Sequence, residues 1–152
     1  MLIKPMAKFE FDNNLANMIK NIENLSNKEE IYIEMISSGQ DIMKKAIQSG
    51  ANKHRTNRDV KHMADSLKCT KPIKNKDGIW VGRVKFYGSN GVYKTKDGKK
   101  YDITNWLKAF RIEYGRSNQK AEPFVRPAIQ SCKKNINDKW NKIYERELDD
   151  LK

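Results

Sequence analysis

The chain has 152 residues, which is the length of one domain, and we expect a single domain over residues 1–152. Hydrophobic residues make up 38% of it and charged residues 33%, so wholesale disorder is excluded. No apolar run approaches the ~18 residues of a membrane-spanning helix, and the amino terminus lacks the apolar stretch of a signal peptide. The sequence therefore predicts a soluble, intracellular protein.

The net charge of +12 is concentrated in the middle of the chain. Residues 44–100 carry a net charge of +12, whereas residues 1–43 carry −3 and residues 101–152 carry +3. Such a local excess favours a polyanion as neighbour, because each phosphate that Lys or Arg neutralises releases counterions. The alternative is that the lysines serve only to keep the protein soluble.

Residues 1–67 are predicted to be mainly helical. Apolar residues recur at helical spacing after a cap at Asn13 or Asn14, and a second amphipathic helix follows and ends near Gly50. A short third helix is predicted from Asn57 to Leu67.

Residues 68–115 are predicted to form a small antiparallel sheet, because the pattern changes to period two with turn signals between the runs. The turn signals are the dipeptides Asp77-Gly78, Asn90-Gly91 and Asp97-Gly98. These dipeptides tolerate the positive φ of tight hairpins. Ile79 to Tyr87 is predicted to be one strand with one buried face, and Leu107 to Tyr114 a further strand.

A long amphipathic helix is predicted within residues 123–150. Pro127 suits its first turn, and apolar residues follow at steps of three or four. At ~1.5 Å per residue the helix is about 33 to 37 Å long, so we expect its end to project toward a neighbouring chain. The predicted fold class is α+β: N-terminal helices, a small antiparallel sheet formed by a meander with an inserted hairpin, and the long C-terminal helix packed on the sheet.

One constellation has the residue types of a hydrolase. Asp59, His62 and Ser66 place an acid, a base and a hydroxyl on one face of the predicted third helix. A nucleophilic triad needs a base oriented by the acid and aimed at a nucleophile on an exposed turn, which three parallel side chains on one helix do not supply. We therefore predict no catalytic residue, and a hydrolase using His62 is the weakest of three functional classes.

Metal and cofactor motifs are also lacking in the sequence. His54 and His62 are eight residues apart with no cysteine pair nearby, and Cys69 and Cys132 stand alone. We predict two free thiols, no metal site and no cofactor.

The most informative stretch is Phe110 to Ile129. It is predicted to be a strand ending at Gly115, a polar loop, and a helix entry fixed between Pro123 and Pro127. A proline disfavours helical backbone in the residue before it, so Glu122 and Arg126 are predicted to be extended, which holds Phe124 and Arg126 in a preset orientation.

In this stretch the chain resembles a known family. Three segments carry the likeness: Ile112-Glu113-Tyr114-Gly115, Ala121-Glu122-Pro123-Phe124 and Arg126-Pro127-Ala128. Followed by a long amphipathic helix, they look like the tail-component family of long-tailed bacteriophages, the tail completion or head-to-tail joining proteins. The likeness extends from Phe110 to about Ile136 and is echoed by residues 62–67, which lead into a strand. Residues 88–104 look like an inserted hairpin.

The resemblance implies a structural protein of a phage or prophage virion, present in the host cytoplasm during assembly, and no enzyme. Such proteins form rings between head and tail tube. Their partners are like subunits, the head connector and tail tube or terminator proteins, with no membrane. DNA passes through the lumen, so the basic residues expected to face packaged DNA, without sequence readout, are Lys94, Lys96, Lys99 and Lys100. The alternative function is a stand-alone nucleic-acid-binding protein driven by its positive charge.

The resemblance also selects the residues expected to shape the loop and the helix entry. They are Glu113, Tyr114, Gly115, Pro123, Phe124, Arg126 and Pro127. Phe124 is expected to anchor the junction by burial, worth about 1.5–3 kcal/mol. Arg126 is expected to clamp a carboxylate in bidentate fashion, either Glu113 or an acid of the next subunit, and the sequence leaves both open.

Overall fold

The computed structural model describes residues 13–56 and 61–151. The helices are α1 (Asn13–Glu23), α2 (Lys28–Asn52), α3 (Asn105–Tyr114) and α4 (Val125–Asp149), with a 3-10 helix at Met63–Ser66. The strands are β1 (Leu67–Cys69), β2 (Ile73–Lys74), β3 (Trp80–Val81), β4 (Val84–Phe86), β5 (Ser89–Lys94) and β6 (Lys100–Thr104). They form three antiparallel two-stranded ribbons, β1–β4, β2–β3 and β5–β6. The α+β class is confirmed.

The frame of the molecule is the antiparallel pair α2 and α4. One apolar cluster joins α1, the start of α2 and the end of α4, where Ile22, Ile31 and Ile143 are almost fully buried. The indole N–H of Trp140 donates to the carbonyl of Met35 at 2.6 Å across this pair. Apolar burial contributes about 25 cal/mol per Å², so this cluster stabilises the packing of α1 and α4 on α2.

A second apolar cluster joins the end of α2 to the 3-10 helix, β1, α3 and the start of α4. Its buried members are Ile47, Ala51, Met63, Ala64, Leu67, Ala109, Phe124 and Ala128. The long C-terminal helix therefore lies along α2 for most of its length and meets the sheet at its first residues, where Phe124 contacts Phe86 of β4 with ring centroids 6.2 Å apart. None of the helices in residues 13–56 and 61–151 combines the length and apolarity needed to cross a bilayer.

The predicted strand from Leu107 to Tyr114 is wrong, because these residues form α3. The side-chain oxygen of Thr104 accepts the backbone N–H of Leu107 at 3.1 Å and caps the helix. Gly115, with φ of 74°, ends it. The aromatic and β-branched residues of the segment suit either structure, and the cap, together with packing of Ala109 into the core, selects the helix.

The predicted third helix is also wrong over residues 61–67, the part of it that the structure describes. Residues 57–60 lie outside the described part of the chain, and Leu67 belongs to β1. Between them, His62 caps the short 3-10 helix by accepting the N–H of Ala64, and the side chain of Asp65 accepts the N–H of His62 in return. This capping box fixes where the turn begins, and the turn ends after four residues, where Leu67 has extended backbone.

The sheet differs from the predicted meander in two places. The run from Ile79 to Tyr87 is interrupted at Gly82, where a Cβ would lie 2.5 Å from Cγ2 of Ile36, so only glycine allows α2 to approach this closely. The second difference is at Asn90-Gly91, which is not a turn but lies within β5. Here β5 has one residue more than the paired part of β6, which forms a bulge. The turns at Asp77-Gly78 and Asp97-Gly98 are confirmed.

Candidate functional site

The junction between α3 and α4 is built around the buried carboxylate of Glu113, which is 4% exposed. One oxygen, Oε2, accepts the backbone N–H groups of Phe124 at 2.7 Å and Val125 at 2.8 Å. The other, Oε1, accepts the N–H of Arg126 at 3.2 Å. These donors lie at the start of α4 and have no partner inside the helix, and a negative charge there also interacts favourably with the helix dipole. Glu113 therefore caps α4 from the last turn of α3.

Arg126 lies over the surface of this cap. Its Nε is 3.6 Å from Oε1 of Glu113, and its guanidinium carbon is 5.0 Å from the centre of the Tyr114 ring. The predicted extended backbone at Arg126 is wrong, because the residue lies in the first turn of α4, a turn in which the following Pro127 is tolerated. Two thirds of the side chain is exposed.

The predicted carboxylate clamp is only partly met within the chain. The contact between Arg126 and Glu113 joins one nitrogen to one oxygen and is not bidentate. Among the residues that the structure describes, Arg126 makes no second ion pair. The expectation that an acid of another subunit completes the clamp therefore stays a prediction.

The loop between the two helices is fixed by backbone contacts. Gly115 turns the chain with φ of 74°, and a Cβ there would lie 2.8 Å from both the nitrogen of Ala121 and the carbonyl oxygen of Gln119. The N–H of Glu122 donates to the carbonyl of Ile112 at 2.8 Å and ties the end of the loop back to α3. The loop therefore has little freedom to move relative to α3.

Phe124 fills the space beneath the junction and is 5% exposed. Its ring centre is 5.5 Å from that of His54. A Cβ on Gly50 would lie 3.2 Å from the Cβ of Phe124, which shows how closely the end of α2 approaches this side chain. Pro123 and Pro127, which flank it, are exposed.

The exposed face of α3 carries an aromatic ladder that the sequence analysis missed. Trp106, Phe110 and Tyr114 recur at intervals of four residues and stack along the helix, with ring centres 5.3 Å and 4.8 Å apart. Trp106 is 38% exposed and Tyr114 41%. The guanidinium of Arg126 extends the stack at the Tyr114 end. The spacing of four was the signal, but it was hidden by the strand prediction.

The basic residues selected from the sequence lie on the β5–β6 hairpin. Lys94, Lys96, Lys99 and Lys100 are all exposed. Lys94 lies directly opposite Lys100 in the ribbon, and the neighbouring exposed pair, Tyr93 and Tyr101, occupies the other face, because successive residues of a strand alternate. Like charges opposite each other destabilise a ribbon.

The β1–β4 ribbon repeats this arrangement with Lys68 directly opposite Lys85, both exposed. Lys68 also lies over the Tyr87 ring, 5.9 Å from its centre. Each of the two ribbons therefore presents a pair of lysines directly opposite each other.

The other sequence candidates are structural or lie outside the described residues. Nδ1 of His62 is hydrogen-bonded in the capping box, and the hydroxyl of Ser66 donates to the carbonyl of Met63 at 2.6 Å. Asp59 lies outside the described part of the chain. Burial and the nearby Asp41 raise the pKa of the Cys69 thiol, which keeps it in the neutral, poorly nucleophilic form. Burial likewise raises the pKa of Cys132, and both thiols are free.

The described ranges, 13–56 and 61–151, hold no cluster of His, Cys, Asp and Glu side chains arranged to bind a metal ion. Comparison of the chain with protein-family models, curated proteins and solved structures finds no match.

Proposed function

We propose that this chain is a structural protein of a bacteriophage or prophage that works as a tail completion or head-to-tail joining adaptor. In this proposal it assembles with like subunits into a ring between the head connector and the tail tube or its terminator. Its location is then the virion, and the host cytoplasm during assembly. It acts by shape and binding, and it carries out no reaction.

The proposal is supported by the way the residues of the segment that resembles the phage family fall into two groups, one buried in the junction and one exposed on its surface. Glu113, Gly115 and Phe124 are used inside the junction, as helix cap, turn and apolar anchor. Tyr114 and Arg126 are exposed and lie against each other on the outside of the same junction. A rigid base that holds an exposed tyrosine and arginine in fixed positions is what a protein-binding site requires.

Residue chemistry favours a protein partner at this surface. Tyrosine, tryptophan and arginine are the residues most enriched among those that dominate binding energy at protein interfaces. The aromatic ladder on α3 together with Arg126 contains all three. The locked loop lowers the entropy that such a surface loses on binding.

Deleting the gene in the phage or prophage that encodes the chain tests this function. We expect DNA-filled heads and separate tails in electron micrographs of the lysate, and restoration of joined particles by the wild-type gene in trans. Mass spectrometry of purified wild-type particles should detect the chain. Joined, infectious particles in the deletion strain would contradict the proposal.

A second candidate function is binding of nucleic acid through the two lysine pairs. Lys94 with Lys100, and Lys68 with Lys85, each place like charges side by side at a cost that a bound polyanion removes. Tyr87 lies beside the second pair, within reach of Lys68. In the adaptor the same residues face packaged DNA, whereas a stand-alone binder uses them for affinity as an isolated subunit.

A salt titration of DNA binding by the purified chain separates these two cases. A stand-alone binder should bind tightly at low salt, with affinity falling by a logarithmic slope of about −0.9 per phosphate contact. The variant Lys94→Ala/Lys100→Ala should reduce that slope by about two contacts, while the control Lys133→Ala/Lys134→Ala on α4 leaves it unchanged. Weak binding with equal effects of both variants removes the second candidate.

A further inference from the structure

The surface around the aromatic ladder is basic as well as apolar. We call Trp106, Phe110, Tyr114 and Arg126 the aromatic-arginine surface. Residues 105–127 contain five cations and two carboxylates, and one of these carboxylates, Glu113, is buried as the cap of α4. The cations are Lys108, Arg111, Arg116, Lys120 and Arg126. A partner that fits this surface presents apolar side chains among carboxylates.

The C-terminal end of α4 has that complementary composition. Residues 144–151, which we call the α4 tip, contain four acids and one arginine. A shallow open depression there is lined by Glu145, Leu148, Asp149 and Leu151. Leu151 is 63% exposed, the largest value among the exposed large apolar residues of the described chain.

Two carboxylates of the α4 tip, Glu145 and Asp150, lie at a helix end that disfavours negative charge. The carboxyl end of a helix carries partial negative charge, so acids in its last turn destabilise it. The single arginine, Arg146, is already engaged by Glu34 at 2.6 Å and Glu147 at 2.7 Å. A cationic surface placed against Glu145 and Asp150 therefore stabilises the tip.

The two complementary surfaces cannot meet within one chain. Arg126 is in the first turn of α4 and Asp150 follows its last residue, so about 36 Å of helix separates them at 1.5 Å per residue. The ladder extends from Tyr114 to Trp106 over about 12 Å of α3, which is too short to close that distance. Contact between these surfaces requires two molecules.

We propose that the α4 tip of one subunit docks on the aromatic-arginine surface of a second copy. Leu148 and Leu151 cover the aromatic ladder, and a carboxylate of the tip completes the clamp that Arg126 leaves open. The inference rests on the proposed function, in which like subunits assemble, and it adds which surfaces they use. Because the two surfaces differ, the contact is head-to-tail. Each subunit uses its α4 tip to bind one neighbour and its aromatic-arginine surface to bind the other.

Mixing two variants tests the head-to-tail contact. The surface variant is Tyr114→Ser/Arg126→Glu, and the tip variant is Asp150→Lys/Leu151→Ser. Each should self-associate at least about tenfold more weakly than the wild type, as measured by sedimentation velocity. An equimolar mixture should form dimers and nothing larger, because one intact surface meets one intact tip. Wild-type behaviour of both variants, or a mixture that stays monomeric while the wild type associates, overturns the proposal.

Disulfide trapping covers the case of an association too weak to sediment. In a Cys69→Ser background, Tyr114→Cys and Leu151→Cys chains are mixed under mild oxidation. We expect a crosslinked dimer that forms faster than in the matched control mixture of Tyr114→Cys with Ile79→Cys, a position equally exposed but outside both surfaces. Equal rates in the two mixtures, together with a monomeric wild type at every concentration, overturn the proposal.

Sedimentation and disulfide trapping both use the purified chain, so their results do not depend on whether the chain joins heads to tails. Failure of the mixing and trapping experiments, with the deletion phenotype as expected, removes this interface and leaves the joining function in place. Specific trapping with no assembly defect on deletion removes the joining function and leaves the interface.

Discussion

The α3–α4 junction and the β5–β6 hairpin both depend on a glycine with positive φ, but the surroundings of the two glycines differ. Each has a glycine with nearly the same positive φ, Gly115 at 74° and Gly98 at 79°. Around Gly115 the loop, the cap and Phe124 contact one another, whereas nothing lies within 4 Å of a Cβ placed on Gly98. The junction is therefore held by the rest of the molecule, whereas the turn of the hairpin is open to solvent.

Removing the apolar anchor, Phe124, should lower the free energy of unfolding more than any other change proposed here. We expect Phe124→Ala to lower the free energy of unfolding by about 3–5 kcal/mol, the usual cost of an aromatic cavity in a core. The matched variant Tyr93→Ala, on the exposed hairpin, loses only a cross-strand pair with Tyr101 and should change it by less than about 1 kcal/mol. Urea unfolding followed by circular dichroism measures both, and similar losses would contradict the division between the two regions.

Removing the helix cap should have the next largest effect. Glu113→Ala leaves three backbone N–H groups without their acceptor, and we expect a loss of about 3 kcal/mol. Glu122→Ala is the control, because this carboxylate is exposed and should contribute no more than about 0.5 kcal/mol. If Glu113→Ala is as mild as the control in urea unfolding, the carboxylate does not act as a cap.

Alanine variants of Gly115 and Gly98 separate the cost of a positive φ from the cost of close neighbours. An alanine with positive φ costs about 1–2 kcal/mol at either position. At Gly115 the new Cβ would also lie 2.8 Å from two backbone atoms, so Gly115→Ala should exceed Gly98→Ala by about 1 kcal/mol or more. Thermal and urea unfolding of the two variants give this difference directly, and equal losses would mean that the loop moves aside freely.

The smallest predicted effect has the opposite sign. Lys94→Glu replaces a like-charged pair with Lys100 by an opposite one, and should stabilise the isolated chain by about 0.2–1 kcal/mol. The same change should weaken binding to DNA if the hairpin faces a polyanion. Lys94→Gln, which removes the repulsion without adding attraction, should fall between the two in urea unfolding. A destabilised Lys94→Glu variant would show that the lysine pair is held by other contacts.

The helices with regular apolar spacing could be predicted from the sequence, because α1, α2 and α4 each bury one stripe. The strand predicted at α3 was wrong because Phe110 and Tyr114 suit both structures, and the Thr104 cap that decides between them is a single local signal. The interruption at Gly82 depends on how closely α2 approaches, which no local pattern records.

Part of the candidate site could also be selected in advance. Glu113 and Arg126 were chosen from the resemblance, but the main role of Glu113 lies with backbone N–H groups eleven to thirteen residues away. A cap supplied by another helix is a long-range contact, so sequence spacing alone gives only the residue and not its partner. Whether Arg126 binds an acid of another subunit remains a prediction.

The cap supplied by Glu113 has a consequence for the order of folding. The first amides of α4 find their acceptor only when the last turn of α3 has formed, so the two helix ends form as one cooperative unit. Deuterium should therefore enter the amides of Phe124 and Val125 only through openings that also expose those of α3.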